Sequence, residues 1–244
     1  MKMIATIEAR MASSRLPGKI LKEAVGKPLL ELMVERVRRS KLINEVVVAT
    51  TVESPDDVTE KACSEMGVKC YRGSNDDVLE RVLKAAQAHK ADLIVELTGD
   101  CPLIDPVEMD KVIQYYLDNS FDYVSNFRDR LFPRGTETQV FSVKVLEDVA
   151  RRTQDPADHE HVSLFIYEHP ELYKLGGVSA EPFYNRPDLR LTVDTPQDYE
   201  LVKTVFEKLY PGNPQFTLKD IIQLLDSEPA LKALNQQIQQ KPVR

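Results

Sequence analysis

The stretch ARMASSRLPGK, residues 9–19, sets three cations, Arg10, Arg15 and Lys19, around two serines, a proline and a glycine, directly after a short apolar run. A linker needs no such cations, and a helix would not choose Pro17-Gly18. The pattern suits a loop that holds anionic oxygens. Arg10 and Arg15 offer forked guanidinium donors, Lys19 is a mobile point charge, and Ser13 and Ser14 add hydroxyls and backbone N–H groups. It is not a P-loop, because Gly18-Lys19 is followed by Ile20 and the upstream glycine of GxxxxGKS/T is missing. A nucleoside triphosphate carries roughly four negative charges, which three cations and a magnesium ion would balance. The same composition also suits an exposed loop with solvated cations.

Two acids could complete such a site. In ELTGDCPLID, 96–105, Asp100 stands just past an apolar run, Gly99 lets the backbone approach a ligand, and Pro102 fixes the turn. In LRLTVDTPQDYE, 189–200, Asp194 again ends an apolar run. Paired carboxylates suit magnesium, which completes its shell with phosphate oxygens and water. Either acid could equally be a turn or helix-start residue, Thr195-Pro196 being a common start. Two further features attract less weight. His159-Glu160-His161 resembles a ligand pair, but helical residues i and i+2 do not share a face, so Glu160 and His161 would point separately into a cleft or dimer contact. Cys101 has no neighbouring base and reads as a small buried residue rather than a nucleophile.

Composition narrows the class. The 244 residues carry a net charge of −7 with 42% hydrophobic content, and the cations are scattered, so general nucleic-acid binding is not expected. Three cysteines without CxxC spacing argue against disulfides and zinc knuckles. No apolar run is long enough to span a membrane and no signal-peptide core is present, so the expectation is a cytoplasmic protein.

Positioning falls to alternating elements. Strands at 2–8, 45–51, 68–71 and 92–99 alternate with helices at 28–40, 54–66, 78–89 and 106–117, which predicts a parallel sheet covered on both faces. Loops 9–19, 72–77 and 98–105 then share the edge where such sheets bind ligands. The second half predicts strands at 121–127, 136–142, within 172–180 and at 189–194. Helices follow at 143–152, from Asp155-Pro156 through HEHVSLFIYEH, from Thr195 to 209, and after Thr217 and Ser227. One domain, 1–244, with an inserted substrate or dimerisation lobe at about 125–185, is the simplest organisation.

Taken together, ARMASSRLPGK, LTGDCPLIDP, FPRGTETQVFS, DHEHVSLFIYEHPE and LRLTVDTPQDYELV resemble the spore coat polysaccharide biosynthesis protein F family. That family is a branch of the acidic-sugar cytidylyltransferases, which include the synthetases of CMP-sialic acid and CMP-3-deoxy-manno-octulosonate. The resemblance covers residues 2 to 210. It implies a Rossmann-like nucleotidyltransferase fold, glycosyltransferase-A-like, with three α/β/α layers and a mixed, mostly parallel sheet. It implies that Arg10, Ser13, Ser14, Arg15 and Lys19 hold the CTP triphosphate, that Asp100 and Asp194 bind Mg2+, and that Arg72, Ser74 and Asp77 of RGSNDD contact the nucleoside. Arg134, Glu137, Gln139, Glu160 and His161 fall where relatives bind the sugar acid or form a homodimer. The reaction implied is attack of an acceptor oxygen on the α-phosphorus of CTP with loss of pyrophosphate, Lys19, Arg15 and Asp100 serving catalysis by positioning and charge stabilisation. SSRLPGK departs from the sialic acid synthetases, so the acceptor does not carry over. Two alternatives stand beside this reading. A sugar-nucleotide-dependent glycosyltransferase would favour an Asp-x-Asp pair, where Asp100-Cys101-Pro102 has one carboxylate. A non-catalytic nucleotide-binding partner would be expected to lack Lys19, Asp100 or Asp194, and all three are present.

Overall fold

The structure, a computed structural model, describes residues 1–240. In chain order the strands are β1 (Met3–Glu8), β2 (Glu23–Ala24), β3 (Lys27–Pro28), β4 (Glu45–Thr51), β5 (Lys69–Gly73), β6 (Leu93–Thr98), β7 (Tyr123–Ser125), β8 (Gln139–Ser142) and β9 (Leu175–Gly177). The α-helices are α1 (Leu29–Val37), α2 (Asp57–Glu65), α3 (Val78–Ala88), α4 (Pro106–Asp118), α5 (Val143–Arg152), α6 (Pro156–Glu160), α7 (Leu164–Glu168), α8 (Pro196–Leu209), α9 (Leu218–Ser227) and α10 (Pro229–Lys232). Seven strands form one sheet in the order β5-β4-β1-β6-β8-β7-β9, and β2 and β3 form a separate hairpin. β8 pairs antiparallel with both β6 and β7, and every other pairing in the large sheet is parallel. Of the span 125–185, residues 139–142 and 175–177 are therefore strands of the main sheet.

Period-two alternation decides which side chains enter which layer. Met3, Ala5 and Ile7 of β1 pack with Met33, Val34 and Val37 of α1, Cys63 of α2 and Met109 and Val112 of α4. Ile4 of β1 and Ile94 of β6 face the other way, against Leu79 and Val82 of α3 and Leu146 and Val149 of α5. A third core joins Leu189, Leu191 and Val193 to Val202 and Val205 of α8 and Ile221 and Ile222 of α9. The helix starts follow capping chemistry. Asp77 accepts from Glu80 N at α3, Asp105 from Val107 N and Glu108 N at α4, and Thr195 with Asp198 forms a capping box at α8. Among the described residues no helix is long and apolar enough to cross a membrane.

Two expectations are corrected. Residues 189–194 are extended and buried but form no ladder. Their one bridge joins Arg190 to Arg134, with Leu191 N donating to Arg134 O at 2.7 Å, and the ladder goes no further because the next donor, Val193 N, turns to Asp100 O and Thr136 O is taken by the Asn126 amide. The helix expected from Asp155-Pro156 is two short helices, α6 and α7, broken at His161, whose backbone (φ −116°, ψ 83°) leaves the helical region. Gly99 packs closely on the end of β1. A Cβ there would lie 2.8 Å from Glu8 O, and Gly99 N donates to that same carbonyl.

Gly135 is the tightest point of the second half. Its φ is +95°, and a Cβ would stand 2.5 Å from Thr192 N. Gly135→Ala should lower stability by about 2–4 kcal/mol, measured as a reduced denaturant midpoint, since both the backbone and the Leu191–Thr192 chain would have to shift.

Candidate active site

The cationic loop is closed at its neck and pinned at both ends. Gly18 N donates to Met11 O at 3.0 Å, Met11 N donates to Asp56 Oδ1 at 2.7 Å, and Ile20 is buried in the core beneath. Asp56 is itself buried and takes the hydroxyls of Thr51 and Thr59. This delivers Lys19 to the sheet edge, where its Nζ lies 3.0 Å from Asp100 Oδ2 and 2.9 Å from Asp194 Oδ1. Arg15 reaches the same Asp194 oxygen at 3.0 Å. Burial pulls the Lys19 ammonium toward deprotonation, but Asp100 and Asp194 outweigh it and hold its pKa above that of an ordinary lysine. Burial likewise pushes Asp100 up, and Lys19 with the Thr98 and Cys101 hydrogen bonds brings it below the ordinary carboxylate.

Both acids are held from behind. Val193 N donates to Asp100 O at 2.7 Å, tying the two acid-bearing segments together. Arg190 donates to Asp194 Oδ2 at 2.9 Å and to Asp198 Oδ1 at 2.9 Å, and Asn235 completes Asp198 at 2.8 Å. On the far side of the 98–105 turn, buried Arg36 donates to Ile104 O at 2.8 Å and Phe216 O at 3.0 Å. Cys101 is buried, and burial pushes its thiol well above the usual cysteine range, so it supplies no thiolate.

The remaining predicted residues divide. Arg10 leaves β1 toward Glu160 at 3.0 Å and Asn75 O at 3.1 Å. Ser13 Oγ accepts from Leu16 N at 3.4 Å and Ser14 is exposed. Ser74 Oγ accepts from Asp77 N at 3.0 Å, and Asp77 meets His159 Nδ1 at 2.7 Å, so the loop before α3 and the last turn of α6 are joined. His159 also contacts Thr153 O at 3.2 Å and is occupied in that tie. Arg72 is not brought to Lys19. Its guanidinium faces Asp57 at 2.7 Å and Glu60 at 2.9 Å on α2. Arg134, Glu137, Gln139, Glu160 and His161 all line one cleft of about 260 Å³ together with Asp100 and Asp194.

That cleft also contains residues that the sequence reading passed over. Glu8 and Glu96 line it from β1 and β6, and Arg190 stands behind Asp194. The available signal was a glutamate inside each of two otherwise apolar buried strands, MIATIE and LIVELT. Among the described residues no group of three or more His, Cys, Asp or Glu converges as a metal cage. The converging acids are the pair Asp100 and Asp194.

The sequence profile of the cytidylyltransferase family matches residues 4–225. The spore coat polysaccharide biosynthesis protein SpsF of Bacillus subtilis is 36% identical over 91% of this chain and 93% of its own. A cytidylyltransferase structure from Leptospira borgpetersenii superposes with a TM-score of 0.91 at 34% identity, covering 99% of this chain and 100% of that one. CMP:2-keto-3-deoxy-manno-octonic acid synthetase complexed with CTP shares the fold, with a TM-score of 0.66 at 22% identity over 85% of this chain and 99% of that one. The chain belongs to the cytidylyltransferase family and is a CTP-dependent nucleotidyltransferase, not a sugar-nucleotide-dependent glycosyltransferase.

Burial raises the Glu96 carboxyl from 4.5 to about 7. The native state then binds more protons than the unfolded chain between those values, so this group's contribution to stability is full below pH 4.5 and is lost as pH rises through about 7. Urea unfolding at pH 5 and pH 8 should show wild type losing up to about 3 kcal/mol more than Glu96→Gln over that interval.

Proposed function

We propose that this member of the cytidylyltransferase family transfers CMP from CTP to an acidic sugar, releasing pyrophosphate, in the synthesis of a surface polysaccharide. The observation that carries the reading is the Lys19 ammonium bracketed by Asp100 and Asp194, with Arg15 beside it. The SpsF likeness supports the polysaccharide context.

The donor set fits a hard divalent cation, and we take it to be magnesium. Two carboxylate oxygens that already converge on one ammonium suit an ion that takes few protein ligands and fills its shell from phosphate and water. Asp100 and Asp194 would hold it, and when bound it supplies charge neutralisation at the phosphates and polarisation of the acceptor oxygen. The protein's own cations are parked on carboxylates: Lys19 on Asp100 and Asp194, Arg15 on Asp194, Arg10 on Glu160. A triphosphate competes for all three, and Lys19 and Arg15 then stabilise charge on the α- and β-phosphates. The acceptor oxygen attacks the α-phosphorus in line, the bond to the bridging oxygen of the pyrophosphate breaks, and the hydroxyl proton passes to solvent. Ser13 and Ser14 offer further donors to the phosphates, and Ser74 and Asp77 stand at the turn proposed to face the nucleoside. Arg134 and His161 face the acceptor from the cleft wall. No side-chain nucleophile is needed, in keeping with the buried thiol of Cys101.

The test is pyrophosphate release with magnesium, each of the four nucleoside triphosphates and a panel of sugar acids. Release with CTP and one acid is expected, with Asp100→Asn lowering kcat by on the order of 10³-fold. Release with another triphosphate in preference to CTP, or an undiminished Asp100→Asn enzyme, would contradict the reading.

A further inference from the structure

Glu8 and Glu96 line the cleft, and among the described residues neither forms an ion pair within 4 Å. They stand on adjacent parallel strands, with Thr6 opposite Glu96 and Glu8 opposite Thr98, so the four side chains share one face of the sheet. Glu96 is 4% exposed, and its Oε2 is buried with no hydrogen-bond partner. Glu8 Oε1 and Thr6 Oγ1 are unpartnered as well. The other acids of the cleft are answered: Asp100 and Asp194 by Lys19, Glu160 by Arg10, and Glu137 by Gly135 N at 2.6 Å. From α3, buried Arg81 attracts Glu8 but donates to Ser74 O instead, leaving its Nε without a partner.

A buried carboxyl oxygen left without a hydrogen-bond partner costs free energy, and among the described residues Glu8 and Glu96 each have one. A ligand with donors offsets it. An ammonium does so better than a hydroxyl, because it brings three N–H donors from one atom and a positive charge to a wall where Glu96, Asp100 and Glu160 all bear on Glu8. An N-acylated nitrogen brings one donor and no charge.

We infer that the floor formed by Glu8 and Glu96 binds a primary ammonium of the acceptor, so that the substrate is a sugar acid bearing a free amino group. The inference rests on the cytidylyltransferase reading above, with the acceptor carboxylate on the Arg134 and His161 side of the cleft and the ammonium on the sheet side.

The test measures pyrophosphate release from CTP with 3-deoxy-octulosonate, with analogues in which one hydroxyl at a time is replaced by a free amine, and with the N-acetylated forms of those amines. One amine should exceed its hydroxyl and N-acetyl counterparts on the order of tenfold or more in kcat/KM, chiefly through KM. In Glu8→Gln and Glu96→Gln that preference should shrink to within about threefold, with melting curves confirming folded protein. Where a variant does not fold, the wild-type ranking decides alone. Turnover of the hydroxyl or N-acetyl acid with no gain from any amine overturns the inference and leaves the cytidylyltransferase reading standing. A preference that survives in folded Glu8→Gln and Glu96→Gln overturns the assignment to these residues. Silence with every acid defeats the acid-acceptor reading and this inference with it.

Discussion

Everything in this molecule is arranged around one ammonium held between two carboxylates. Lys19, Asp100 and Asp194 come from distant parts of the chain, and each is largely shielded from solvent. Breaking such a buried set by removing one member strands the others, which is far more costly than losing an exposed pair. The sheet, the neck of the cationic loop and the third hydrophobic core all serve to make the three meet. β1 and β6 are hydrogen-bonded neighbours, so the loops that follow them begin side by side. The segment 189–194 reaches that point only because α8 and α9 bury Leu189, Leu191 and Val193 beneath it.

Rigidity is supplied by arginines that never face the cleft's contents. Arg36 satisfies carbonyls of both the 98–105 turn and the approach to α9, and Arg190 links Asp194 to the capping aspartate of α8. Asp105 does the same from the acidic side. It caps α4 and also accepts from Leu218 N at the start of α9. Each is a charged group buried with its hydrogen-bonding needs largely met, the condition under which burial of charge specifies one arrangement of chain segments.

The first half of the fold was legible because local signals agreed. Runs such as EVVVATT and DLIVELTG are β-branched and bounded by polar residues, and the intervening helices carry apolar residues at helical spacing. The ARMASSRLPGK loop and Asp100 stood out as cations and a carboxylate after apolar runs, a pattern that a solvated loop and a turn also allow, and it is the fold that sets Lys19 against Asp100. The second half was harder. LRLTVD has the composition of a strand, but whether it finds a ladder depends on its neighbours, and Val193 N is drawn off to Asp100 O. HEHVSLFIYEH reads as one helix because nothing local marks the break at His161. Arg190 acts through Asp194, and Arg72 turns toward α2, relations that exist only in three dimensions. Glu8 and Glu96 were visible as letters, but their meaning needed the register that sets them side by side.

The reversal of β8 has its own consequence. In a wholly parallel sheet, only chain that has just left a strand can stand at the carboxyl edge. Because β8 runs the other way, with Gln139 opposite Glu96 and Ser142 opposite Leu93, the residues that precede it arrive at that edge as well. The wall carrying Arg134, Glu137 and Gln139 is thus built by incoming chain, while Lys19 and Asp100 are built by outgoing chain. Insertions or deletions at the exposed turn 128–130, ahead of the Arg134 bridge, can therefore reshape one wall while the register that places the opposite one stays intact. The sheet separates the part of the enzyme that must be constant from the part that is free to diversify.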